Sequence, residues 1–322
     1  MKVDPVVTMY RAGSVAFRTL PLPAADLLAR TIYRIAAGAS AQRRLIVERN
    51  VVRVLGPGLD RAELDRLVRL TFESYGRYWV DSFRLPDMSV EAIDAGMDYS
   101  GYESIERAVA SGTGPIVVLP HLGSWEWAGV WLTLVPKHKV TVVVEPVEPP
   151  ELFDFFVRFR ERLGMNIVPL GPGAASEVLR AIKAGHVLCL LADRDIDGTG
   201  LEVEFFGETT RLPAGPAALA LRTGAPLLPA ACYFKRRGVS CVVGPPMKVE
   251  RRSHRFREDV ARLTQDIASE LEELIRRAPE QWHLQQPNWP SDHAALDALV
   301  AAKGRSGVRR LGKPTRSLQP CE

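Results

Sequence analysis

From Pro23 to about Ala37, the apolar residues Leu28, Ile32 and Ile35 return at helical spacing while Arg30 and Arg34 fall on another face, which predicts a short basic amphipathic helix. Two placements suit the pattern: flat in a bilayer surface, or packed on the main body with the arginines in solvent. More helix follows from Ala41 to Leu55, stops at Gly56-Pro57-Gly58, and resumes behind the N-cap residue Asp60 to about Phe83. Beyond Gly101 the texture changes, and short β-branched runs alternate with amphipathic stretches as in stacked βα units. The runs are Pro115 to Pro120, Lys139 to Val144, Asn166 to Leu170, His186 to Ala192, Leu201 to Phe206, Pro226 to Phe234, and Val239 to Val243. Between them lie helical stretches from Ser124 to Val135, Pro150 to Leu163, Ala174 to Ala184 and Ala214 to Thr223, and a long charged helix runs from about His254 to Arg277. The chain therefore predicts an α/β fold, a largely parallel central sheet with helices on both faces, preceded by N-terminal helices. Its expected organisation is an N-terminal helical, membrane-docking segment over residues 1–100, an α/β core over 101–290, and a disordered tail over 291–322, where Lys and Arg gather amid Gly and Pro.

Composition refines this only a little. Hydrophobic residues make up 46% of the 322 and charged ones 25%, enough apolar material for a sizeable core. Lys and Arg together number 42 against 38 acids, a net charge of +4, and most of the cations are Arg. Guanidinium groups clamp phosphates and hydrate weakly, which suits anionic head groups, phosphorylated ligands or nucleic acid alike. Acids are interspersed among the basic residues and no stripe of alternating aromatic and basic residues occurs, so no nucleic-acid partner is expected. Cys189, Cys232, Cys241 and Cys321 show no CxxC pairing and read as free thiols, the first three inside strand-like runs. The start lacks a signal-peptide pattern, and no run of about 18 apolar residues suggests a membrane-spanning helix. The expected location is the cytoplasm or, as a peripheral protein, the cytoplasmic face of the cell membrane.

The chemistry concentrates where Val117-Val118-Leu119-Pro120 runs into His121-Leu122-Gly123-Ser124-Trp125-Glu126, followed by an amphipathic helix. Strand exits form the site in α/β folds, so His121 sits where ligands bind, at the positive end of the helix that follows. Glu126 is five positions after His121, which on one continuous helix would set them about 140° apart, so the histidine must precede the helix. If the chain turns at Gly123, Glu126 can reach back, accept the imidazole N–H and leave the other nitrogen free to take a proton from an alcohol. A buried core histidine beside an unrelated helix acid would give the same letters. No G-x-S-x-G elbow occurs, and Ser124 reads as a helix N-cap, so direct transfer without a covalent acyl-enzyme is expected.

This histidine and acid, four residues between them, resemble the glycerolipid acyltransferase superfamily, and most of all its branch of lipid A and phosphatidylinositol mannoside acyltransferases. The resemblance runs over roughly residues 100 to 290. It takes in Phe156-Val157-Arg158-Phe159-Arg160, Ala192-Asp193-Arg194-Asp195, Phe205-Phe206-Gly207, Leu219 to Pro226, and Pro279 to Gln285. The Trp-His-Leu-Gln ending and Glu145 after its strand are similar to the actinobacterial mannoside enzymes. The resemblance implies acyl-CoA as co-substrate without a resident cofactor, a mannose hydroxyl of a phosphatidylinositol mannoside as acceptor, His121 as base and Glu126 as its partner. It further implies that Glu145, Arg160, Asp193 and Arg194 bind substrate, with Glu145 and Arg160 near the acceptor or the developing charge. Either of these two could instead belong to a surface ion pair. A lipid A type acceptor, or another glycolipid or lysophospholipid, is the alternative.

Two motifs compete with this assignment. Asp193-Arg194-Asp195-Ile196-Asp197-Gly198 with Glu204 fits the EF-hand loop, which makes a calcium-binding module at 193–204 the non-enzymatic alternative, but its flanks read as strands rather than helices. Gly171-Pro172-Gly173-Ala174-Ala175-Ser176 approaches a dinucleotide fingerprint yet ends in Ser, and reads as a strand-to-helix turn. The other histidines lack metal-ligand spacing, and no metal is expected.

Overall fold

The computed structural model describes residues 4–195 and 198–302. The chain opens with four helices, α1 (Pro5–Thr19), α2 (Leu22–Ala39), α3 (Ala41–Leu55) and α4 (Arg61–Arg84), and then a short α5 (Val90–Ala95). Strand and helix next alternate: β1 (Met97–Ser100), α6 (Glu103–Ala110), β2 (Ile116–Leu119), α7 (Trp125–Leu134), β3 (Val140–Val144), α8 (Pro150–Arg162), β4 (Asn166–Pro169), α9 (Ala174–Lys183) and β5 (Val187–Leu191). There follow β6 (Leu201–Phe205), β7 (Glu208–Leu212), α10 (Gly215–Thr223), β8 (Leu227–Phe234), β9 (Val239–Val243), α11 (Phe256–Arg276) and α12 (Pro290–Ala302).

Seven strands form one sheet in the order β1-β9-β8-β2-β5-β3-β4, parallel at every pairing except β8 with β9; β6 and β7 form a separate antiparallel hairpin. The alternation of side chains along each strand explains the two-sided burial. Ile116 and Val118 of β2 join Leu188 of β5 in a layer with Val178 and Ile182 of α9 and Leu263 and Leu271 of α11. Val117 and Leu119 point the other way, toward Trp127, Val130 and Trp131 of α7 and Phe159 of α8. Because both faces are covered, the central strands carry continuous apolar runs, which is what made them legible.

Six elements depart from the expected pattern. Strands β1 and β7 and helices α1, α5 and α6 were not anticipated, and α12 occupies part of the segment expected to be disordered. That helix is pinned by Asp292, fully buried, which accepts from Arg49 and Arg53 of α3 at 2.6 Å each. The rest of the expected tail, residues 303–322, lies outside the described residues.

Helix α2 packs on the main body through one face and leaves another exposed. Ala25, Ala29 and Ala37 are buried, packed with Val80, Phe83 and Phe72 of α4, because small side chains allow close approach. The larger Leu27, Leu28, Ile32 and Ile35 are left 37–66% exposed. Of the twelve exposed large hydrophobic residues among those described, eight lie between Val6 and Ile35. No described helix is long and apolar enough to cross a membrane.

Candidate active site

Parallel pairing fixes the centre of the site. Leu119 of β2 sits opposite Leu191 of β5, and Ala192 donates its N–H to the Leu119 carbonyl at 2.9 Å. His121 and Asp193 each lie two residues beyond that pair, so the register delivers them to the same level above the sheet. The imidazole Nδ1 meets Asp193 Oδ1 at 2.6 Å, while the His121 backbone N–H donates to Oδ2 at 3.0 Å. Asp193 is fully buried and the His121 side chain is 24% exposed. A carboxylate accepts only, so Nδ1 carries the proton and Nε2 is the acceptor in the neutral ring. Among the described residues no hydrogen bond occupies Nε2. Burial raises the Asp193 carboxyl, but the charge of His121 and the hydrogen bonds from His121 and Trp282 outweigh it and hold the group below its ordinary range.

The turn that carries His121 needs glycine. Gly123 has φ +60°, and a Cβ there would stand 1.7 Å from the Cys232 carbonyl oxygen. The chain then enters α7 at Ser124, whose N–H donates to that same carbonyl at 3.2 Å. Ser124 is the N-cap residue by position only. Its hydroxyl makes no capping bond and is buried without a partner among the described residues.

Glu126 does not reach back to His121. Its buried Oε1 accepts from Arg160 of α8 through Nε at 2.9 Å and through Nη2, and from the Tyr78 hydroxyl of α4 at 3.2 Å. A guanidinium this deep requires a carboxylate partner, and Glu126 on the first turn of α7 is the one that faces it. Desolvation opposes the charged Arg160, yet Glu126 more than compensates and raises its affinity for the proton. The expected pairing of His121 with Glu126 is thus replaced by two separate pairs. Arg160, expected near the acceptor, is neutralised by Glu126, and Asp193, expected to bind substrate, is hydrogen-bonded to the histidine. Glu145, just past β3, pairs with Arg194 at 3.0 Å. All six residues singled out in the sequence therefore sit in three ion or hydrogen-bonded pairs, only one of which contains the histidine.

The 193–204 segment is not a helix-flanked loop: it leaves β5 and enters β6, and both Asp193 oxygens are taken by protein donors. Ile196 and Asp197 lie outside the described residues. Gly171 to Gly173 make the turn from β4 into α9, with Gly173 left-handed at the N-cap. Cys232 and Cys241 are buried free thiols facing each other across β8 and β9.

The segment after the short 3-10 turn Pro279–Gln281, which the resemblance took in without giving it a place at the site, lies alongside the loop that carries His121. His283 donates its backbone N–H to the His121 carbonyl at 2.7 Å, and its ring sits among Tyr75, Tyr78, Trp125 and Phe234 with Nε2 at 2.9 Å from the Ser74 hydroxyl. Burial first, then the nearby charge of His121, hold the His283 pKa down to about 3. Unfolded, a histidine titrates near about 6.5, so below that pH the unfolded chain binds a proton that the folded one refuses. The resulting stabilisation is complete above about pH 6.5 and fades as pH falls toward about 3, by about 1.4 kcal/mol per pH unit. Urea unfolding at about pH 6, 5 and 4 should show wild type losing stability more steeply than His283→Gln by about that amount per unit; parallel slopes would contradict it.

The family described as bacterial lipid A biosynthesis acyltransferase matches residues 5–291. A phosphatidylinositol mannoside acyltransferase of Mycobacterium tuberculosis is 39% identical over 289 residues, 88% of each chain. A protein of the same name from Mycolicibacterium smegmatis is 36% identical over 287 residues, 88% of this chain and 91% of its own.

Proposed function

This chain belongs to the bacterial lipid A biosynthesis acyltransferase family, and from that membership we propose that it moves a fatty acyl chain from acyl-CoA to a mannose hydroxyl of a phosphatidylinositol mannoside, with His121 as general base oriented by Asp193. The observation that carries the mechanism is the His121–Asp193 pair at the strand exits, with Nε2 as the acceptor nitrogen. As the hydroxyl oxygen attacks the thioester carbonyl, Nε2 takes its proton and Asp193 stabilises the imidazolium. The tetrahedral oxyanion then re-forms the carbonyl and expels the CoA thiolate, which recovers the proton from His121. The products are the ester and free CoA, and no acyl-enzyme is required. Glu126 serves by fixing Arg160, and the positive end of α7 beside the site favours the oxyanion. Glu145 and Arg194 offer an acceptor and a donor for sugar hydroxyls at the neighbouring exits.

The acceptor is a lipid, which asks for a way onto the bilayer. Helices α1 and α2 supply it: Met9, Val15, Leu27 and Ile35 are 60–66% exposed, and Arg11, Arg30 and Arg34 are exposed on the same two helices. An apolar face with basic neighbours suits the anionic cytoplasmic surface.

One experiment tests both parts. Palmitoyl-CoA is mixed with anionic vesicles carrying in turn a phosphatidylinositol mannoside, a glucosaminyl lipid or phospholipid alone, and CoA release and protein pelleting are followed together. CoA release with the mannoside vesicles and pelleting that is lost in a Leu27→Asp, Ile35→Asp double variant are expected. Faster release with the glucosaminyl lipid would assign a lipid A type acceptor instead, and equal pelleting of the two proteins would reject the docking face.

A further inference from the structure

Asp193 has two oxygens and three donors, and the third donor comes from far along the chain. The Trp282 indole N–H reaches Oδ2 at 2.8 Å. Its direction is set on every side. An antiparallel bridge pairs Trp282 with Leu122, and the Gly123 N–H donates to the Gln281 carbonyl at 3.0 Å. The ring itself is 2% exposed and lies between Phe205, Phe206 and Trp289. The same segment grips the aspartate backbone, because Asn288 Nδ2 donates to the Asp193 carbonyl at 3.1 Å.

With the Trp282 N–H and the His121 backbone N–H both on Oδ2, the carboxylate cannot rotate, and Oδ1 is left to Nδ1. Resting on the proposal that His121 is the base, we infer that Trp282 is a positioning residue for the reaction, acting through Asp193 and seconded by Asn288. The indole does two things to the carboxylate. It orients Oδ1, and it draws charge toward Oδ2, which moderates the grip on the imidazolium. Removing it leaves a less ordered carboxylate that holds the imidazolium harder. The other ionisable groups around the pair are His283 from the same segment, Arg194 with Glu145 at the strand exits, and Glu126 with Arg160 and Tyr78 from α7, α8 and α4. None of these has the indole as its hydrogen-bond partner among the described residues.

The test is steady-state acyl transfer from palmitoyl-CoA by Trp282→Phe, Asp193→Asn and the double variant. For Trp282→Phe, kcat should fall about tenfold with KM for palmitoyl-CoA nearly unchanged, and the acid limb of the pH profile should rise by about one pH unit. In the Asp193→Asn background the same change should cost less than about threefold, since both act through one carboxylate. An unshifted acid limb with wild-type kcat, or a full tenfold loss added to that of Asp193→Asn, overturns the assignment. Should Trp282→Phe fail to fold, Asn288→Ala replaces it in the same cycle, with about a threefold loss alone and none in the Asp193→Asn background; additive losses overturn the assignment there too. His121→Ala serves as the reference. If it is inactive while Trp282→Phe is silent, only the role of Trp282 fails; if it stays active, the base itself is wrong.

Discussion

Asp193→Asn should slow acyl transfer by about 10³- to 10⁴-fold, although it changes one atom and fills the same space. The reason lies in which oxygen is already spoken for. Trp282 and the His121 backbone both donate to Oδ2, so the amide oxygen of asparagine is drawn to that position and its NH2 group is turned to Nδ1. Two donors then face each other unless the imidazole moves its proton to Nε2. The nitrogen that should accept the hydroxyl proton becomes a donor, and the imidazolium loses its counter-charge as well. Asp193→Ala lacks the misdirected NH2 and lets the ring choose its tautomer, so it should be no slower than the asparagine variant. Single-turnover rates with saturating palmitoyl-CoA and mannolipid measure the chemical step for both. A rate for Asp193→Asn within about tenfold of wild type would exclude the aspartate as orienter.

That this partner escaped the sequence while the histidine did not has a physical explanation. His121 was legible because the apolar run before it and the amphipathic pattern after it placed it at a strand exit. Glu126 was the acid nearest in sequence, and nothing local showed that Arg160 would claim it. Asp193 lies 72 residues away, and its approach is decided by the parallel register of β2 with β5, in which Leu119 meets Leu191. Matching the ends of the two buried runs would have found it. Trp282 is harder, since its segment reaches the site through a single bridge to Leu122 and a hydrogen bond from Gly123 to Gln281 rather than through a regular strand.

The fold followed the same rule. Central strands such as Val140–Val144 announced themselves, whereas β1 is an edge strand with three of its four residues exposed, and β7 reads Glu-Thr-Thr-Arg-Leu, too polar for a core run. Helix α12 has an almost even spread of apolar residues and owes its place to Asp292 and the two arginines of α3. Such long-range ion pairs leave no periodic trace. Helix α2 shows the opposite failure: its large apolar residues marked the free face and its alanines the packed one, the reverse of the usual amphipathic pattern.

Everything chemical in this account passes through one nitrogen. His121→Ala removes the proton acceptor and leaves the Asp193 carboxylate with Trp282 and the backbone N–H of residue 121 as partners, enough to keep it bonded while nothing remains to take the hydroxyl proton. Water in the vacated space is a base weaker than imidazole by several pK units, so binding and oxyanion stabilisation would carry what activity is left. The deciding measurement is the single-turnover rate of palmitoyl transfer from palmitoyl-CoA to phosphatidylinositol mannoside by His121→Ala, with thermal unfolding checked beside it. A loss of about 10³-fold or more in a protein that unfolds near the wild-type temperature is the result predicted. Transfer within about tenfold of wild type by the same folded variant would contradict it.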